Sequence, residues 1–140
     1  MILLNGESLA YLGDSIYELK IREYILSKGM QDVNKLHKYA VKFTSGEAQA
    51  KIMEYFLSQN LLTEEEIAYY KRGRNSNHSK NRRSISVISY KMATGFEAMI
   101  GYLYLSNKYE RLDEIIKLII NVVEEGYYDK YFLYCQKLCL

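Results

Sequence analysis

The sequence predicts an all-α domain, and three observations carry that expectation. Proline is absent from the 140 residues, so nothing in the chain forbids long helices. Apolar residues recur at spacings of three and four, whereas β-alternating runs are scarce. Ser, Thr and Asp caps and glycine stops divide the chain into segments of helical length. A hydrophobic fraction of 49% in a single domain of this size supplies a proper core without disulfide or metal staples.

The first helix is expected over 7–27. Leu9, Leu12, Ile16 and Leu19 share one face, and Ser27-Lys28-Gly29 ends it. Asp32 then reads as the cap of a helix through Leu36, Ala40 and Phe43. Thr44 with Glu47, and Thr63 with Glu66, match the capping-box pattern, opening helices over roughly 45–59 and 64–71. Asn60-Leu61-Leu62 is the hinge between them. Residues 71–83 hold no acid and no large apolar residue, and their Gly, Asn and Ser predict a loop. A fifth helix is expected over about 87–106 and a sixth over about 110–125, stopped at Gly126. The domain is thus 1–126, followed by an aromatic-rich tail, 127–140, with room for a short helix.

Composition narrows the function classes. Met1-Ile2-Leu3-Leu4 is too short an apolar run for a signal peptide and has no basic residues before it. The longest apolar candidate, 115–123, is broken by Lys117 and Asn121, so no membrane span is expected. Cys135 and Cys139 lie on one helical face, where a disulfide is awkward, and have no further cysteines to complete a zinc set. They read as reduced thiols of a cytoplasmic protein. The net charge is only +2, so what matters is where the charge sits.

Two stretches set an acid inside an apolar helix beside glycine. In Leu9-Ala10-Tyr11-Leu12-Gly13-Asp14-Ser15, Asp14 lies roughly 200° around the helix from Leu12, at the side of the apolar stripe. Gly13 costs about 1 kcal/mol of helix stability relative to Ala, which makes sense where another backbone or a ligand comes close. In the stretch Ala93 to Leu103, Glu97 sits between Gly95 and Gly101. On its own stretch alone, Asp14 reads as a solvated flank residue and Gly13 as a helix-packing contact. On two helices packed together the two acids would lie side by side, and a hard divalent cation is the simplest way to keep both ionised.

Lys71, Arg72, Arg74, Lys80, Arg82 and Arg83 concentrate positive charge in one segment, with Asn75 among its polar residues. That is the footprint of a phosphate-backbone binder, although a solvated loop has the same composition. No helix looks built to read base edges, so shape recognition of double-stranded RNA fits better than sequence readout of DNA. Acids for a metal together with a phosphate-binding loop are the kit for phosphodiester hydrolysis. His37 and His78 are expected to be structural or solvated, and Glu18 to pair with Arg22 one turn on.

These residues resemble the ribonuclease III family. Leu9 to Ser15 is similar to its signature helix, and Phe96-Glu97-Ala98-Met99-Ile100-Gly101-Tyr102-Leu103 to its second acidic helix. Leu36-His37-Lys38, Thr63-Glu64-Glu65-Glu66 and Lys71-Arg72-Gly73-Arg74-Asn75 resemble elements of its short branch, Mini-ribonuclease III. The resemblance spans about residues 7–125. It implies the helical endonuclease fold of that family, working as a homodimer that cuts double-stranded RNA with magnesium, or manganese in its place. Asp14 and Glu97 fall on two of the four acidic positions of long-type members and are the implied catalytic and metal-holding pair. Ala10 and Thr94 stand at the other two, and Glu7 at a further acidic position near the cleft. Tyr11 falls at a dimer-interface position, but is explained equally well as a core tyrosine.

Long-type members append a double-stranded-RNA-binding domain that this chain is not expected to carry. Lys71, Arg72, Arg74, Asn75, Lys80, Arg82 and Arg83 are the implied substitute. The implied substrate is precursor 23S ribosomal RNA, with a ribosomal protein as candidate helper and no membrane partner. Two other readings stay open at this point. One is a non-catalytic helical dimer of the same fold that binds structured RNA, motivated by Ala10 and Thr94. The other is an unrelated helical module whose basic loop docks on an acidic protein.

Overall fold

In the computed structural model, which describes residues 2–76, 85–126 and 137–138, six α-helices follow one another. They are α1 (Gly6–Ser27), α2 (Val33–Thr44), α3 (Gly46–Ser58), α4 (Glu64–Arg74), α5 (Val87–Leu105) and α6 (Tyr109–Glu124), with no strand among the described residues. The all-α expectation holds. All of the expected tail but 137–138, together with His78, Lys80, Arg82 and Arg83, lies outside the described residues, and so do Cys135 and Cys139.

The molecule is built around α5. Every residue from Ala93 to Leu103 is buried except Glu97, which is half-buried. A helix apolar on all sides must be covered on all sides, and α1, α3, α4 and α6 all pack against it. Two of these crossings are close enough to exclude side chains. A Cβ on Gly13 of α1 would overlap the Glu97 carbonyl, and one on Gly101 the Leu9 carbonyl. On another side of α5, a Cβ on Gly73 of α4 would come within 2.8 Å of the Thr94 carbonyl.

Those crossings correct the expected face of α1. Its buried line is Leu9, Gly13, Tyr17, Ile21 and Ile25, an unbroken four-residue repeat, with Gly6 and Ala10 beside it. Leu12 and Ile16 are only half-buried, and Leu19 is 53% exposed. The glycine side faces α5 because backbone-to-backbone approach needs the smallest residue in the contact, which turns the leucines outward. Tyr17 fixes the rotation: its hydroxyl donates to the Phe43 carbonyl at 2.9 Å, and its ring meets Phe96 edge-on at 4.9 Å.

Two local expectations also change. Ser45, not Thr44, caps α3: Ser45 Oγ accepts from the Ala48 N–H at 3.1 Å. Thr44 is the last residue of α2, and its hydroxyl donates back to the Ala40 carbonyl. Ser45 therefore closes α2 and opens α3 with no loop between them. The Thr63–Glu66 box forms as expected, each side chain accepting from the other's backbone N–H. Helix α4 then runs on to Arg74. Lys71, Arg72 and Arg74 thus lie on a helical turn rather than in a loop, because Gly73 serves contact with α5 instead of breaking the helix.

Candidate active site

The α1–α5 crossing decides where the two acids go. Asp14 follows the glycine that touches the Glu97 carbonyl, and the two side chains leave their helices into one cleft of about 190 Å³. Asp14 is exposed and Glu97 half-buried. The cleft is completed by Thr94 and Tyr90 of α5, by Thr44 and Gly46 at the α2–α3 corner, and by Ile85 just ahead of α5.

The remaining candidate donors are committed elsewhere. Thr94 is 8% exposed, and its hydroxyl donates to the Tyr90 carbonyl at 3.0 Å. Ala10 is 4% exposed and belongs to the core. Glu18 borders the cleft but pairs with Arg22 at 3.2 Å, as the sequence suggests. Among the described residues no group of three or more His, Cys, Asp or Glu side chains converges. The donor set is two carboxylates facing an open polar cleft. Hard oxygen donors with room for water fit magnesium, which keeps several of its waters and needs few protein ligands.

The basic end of α4 meets α5 on a neighbouring side and does not itself line the cleft. Gly73 packs against Thr94, Gly95 and Ala98, so the last turn of α4 lies across the stretch of α5 that carries Glu97. Lys71 and Asn75 are exposed there, and Arg74 is half-buried, its Nε donating to Asn75 Oδ1. Arg72 is turned to another task. Its Nη1 donates to the carbonyls of Ile2 and Leu4 at 2.9 and 3.2 Å, and its guanidinium lies 4.5 Å from the centre of the Tyr69 ring. Beyond Ser76, the described chain resumes at Ile85, itself in the cleft wall. His37 does not line this cleft; it lines a second groove between α1 and α2 that shares Glu18 and Thr44 with it.

Sequence reasoning missed two parts of this site. The Thr44–Gly46 corner was hidden because the competing hydroxyls of Thr44 and Ser45 blur where α2 ends. Ile85 carried no signal beyond being the first large apolar residue after the basic segment.

A helical domain that brings two acids into one cleft, with a basic helix end packed on the same central helix, has the parts of a nuclease of the all-α type. Residues 7–108 match the Ribonuclease III domain. The chain is 47% identical over 126 residues to a Mini-ribonuclease 3 of Acholeplasma laidlawii, covering 90% of this chain and 99% of that protein. It is 50% identical over 126 residues to one of Clostridium tetani, covering 88% and 81%. A crystal structure of a Fusobacterium nucleatum protein superposes with a TM-score of 0.75 at 37% identity, covering 85% of this chain and 93% of that one. The chain belongs to the ribonuclease III family, in its Mini-ribonuclease 3 branch, and is an endoribonuclease. This removes the reading as an unrelated interaction module. Among the described residues no helix is long and apolar enough to cross a membrane.

Proposed function

We propose that this endoribonuclease cleaves double-stranded RNA with magnesium, as a cytoplasmic homodimer, and that precursor 23S ribosomal RNA is its substrate. The observation that carries the reading is the shared cleft of Asp14 and Glu97, with the basic end of α4 laid across the same stretch of α5. Asp14 and Glu97 would hold the cation, which when bound lowers the pKa of a water and neutralises charge growing on the scissile phosphate. Lys71, Arg74 and Asn75 would take phosphate and sugar contacts that position a duplex without reading its sequence. Lys80, Arg82 and Arg83 belong to the same basic segment. Manganese, with the same preference for oxygen donors, would substitute. Tyr11, 83% exposed and three residues before Asp14 on α1, supports a dimer that meets beside the cleft.

The test is direct. Asp14→Asn and Glu97→Gln each reduce cleavage of duplex RNA below detection, while helicity by circular dichroism and duplex retention in a gel shift stay near wild type. Full-rate cleavage by either variant rejects the assignment. Mapping the ends left on precursor ribosomal RNA by the purified protein, with and without ribosomal protein, tests the substrate.

A further inference from the structure

The α2–α3 corner is the wall of the cleft that carries no acid. Thr44 and Gly46 reach the cleft from it, and the corner is held from two sides. Behind it stands Gln49 of α3, 1% exposed. Its Nε2 donates to the Thr44 carbonyl at 3.3 Å, and its backbone N–H to the Ser45 carbonyl at 2.9 Å. Its Oε1 is buried and, among the described residues, has no hydrogen-bond partner. The rest of that buried face of α3 is Ala48, Ala50, Ile52, Met53 and Phe56. A buried amide with half its bonding capacity unmet is a poorer core residue than an apolar side chain of the same size, so its presence calls for a role other than packing.

In front of the corner stands Ile85. A Cβ on Gly46 would come within 2.7 Å of Ile85 Cδ1, so that side-chain tip lies directly on the corner. Ile85 lies two residues after Arg83, the last of the basic segment. One corner therefore touches the acids' cleft, a buried amide with one of its two polar atoms engaged, and Ile85, two residues after the basic segment.

We infer that Gln49 is a positioning residue for RNA cleavage: by holding the Thr44 carbonyl it fixes the corner against which Ile85 packs, and so sets where the bound strand lies relative to Asp14 and Glu97. The inference rests on the reading of those two acids given above. The corner supplies neither acid, so disturbing it leaves cation binding alone and misplaces the reacting phosphate. Misplacement on the order of 1 Å costs about 10²-fold in rate when geometry limits the chemistry.

The experiment measures kcat and KM on duplex RNA, Mn2+ affinity without RNA, and melting temperature. Gln49→Met, matched in size, lowers kcat about ten- to a hundredfold, by the same positioning argument, with Mn2+ affinity and melting temperature near wild type. Gly46→Ala, which meets only the movable Cδ1 of Ile85, lowers kcat by less than Gln49→Met does, with melting temperature near wild type. Ile52→Val, buried one turn further along α3, lowers the melting temperature and leaves kcat unchanged. Wild-type kcat in Gln49→Met overturns the inference. So does a fall in kcat that is matched by lost Mn2+ affinity, or that Ile52→Val shares. A wild-type protein that binds no Mn2+ overturns the reading of the acids, and this inference with it, so the two failures are read separately.

Discussion

Gly13 does as much for the cleft as the acid beside it. The crossing of α1 and α5 at backbone distance is what brings Asp14 to Glu97, and any side chain at position 13 would stand on the Glu97 carbonyl. Gly13→Ala sets two effects against each other. Alanine gains about 1 kcal/mol of helix propensity. Overpacking a close contact costs about 1–3 kcal/mol, and here the obstacle is main chain, which cannot swing aside as a side-chain tip can. The cost prevails, so the melting temperature falls by several degrees, at about 2–4 °C per kcal/mol for a domain of this length. Cleavage falls further than stability alone explains, because relief of the clash moves the backbone that carries Glu97. Thermal melts and initial rates on duplex RNA check both halves; a melting temperature at or above wild type would show slack in the crossing.

Helix α4 shows how an element divides charges that look alike in the sequence. Arg72 straps the N-terminal segment to the helix through two carbonyls and the Tyr69 ring, whereas the contacts of Arg74 among the described residues are local, to Asn75 Oδ1 and the Tyr70 ring. Arg72→Ala removes packing and hydrogen bonds and lowers stability by about 1–2 kcal/mol. Arg74→Ala weakens duplex binding and reduces the slope of log K against log salt by about 1. Unfolding curves and a salt series of binding measurements on both variants separate the roles; an equal change of slope in both would put Arg72 on phosphate too. This division was not legible beforehand, because it depends on where the N-terminal segment runs. The acids were legible, since each lies in a local pattern of apolar helix and glycine. So was the Thr63–Glu66 box, whose partners are three residues apart. The buried face of α1 was misjudged because hydrophobicity counts Leu19 and ignores Gly13. The extension of α4 was missed because Gly73 reads locally as a breaker, and only α5 shows why it is there.

Across the whole molecule, α6 closes the chain's last described helix back onto its first two. Near its start, Arg111 is paired with the buried Glu66 of α4 at 2.8 Å and donates to the Leu61 carbonyl. At its end, Glu124 accepts from Lys28 and Tyr24 at 2.7 Å, and from Tyr39. Burial alone would raise the Glu124 carboxyl, but these hydrogen bonds outweigh it and hold it at about 2, against an ordinary 4.5, while Lys28 is held above its ordinary range. A carboxyl depressed on folding adds stability that is complete above its unfolded value and disappears as pH falls through its folded one. The Glu124 contribution is therefore present at pH 7 and fades between about pH 4.5 and 2. Glu66, also held below its ordinary value, fades in the same direction, so wild type loses stability from both ends of α6 in acid. Glu124→Gln isolates one end. At this partly exposed site it costs about 1 kcal/mol at neutral pH. Urea unfolding of both proteins across the acid range should show that gap closing as pH approaches 2. A gap that persists at the acid limit would mean that the shape of the hydrogen-bond cluster, rather than the carboxylate charge, ties α6 to α1 and α2.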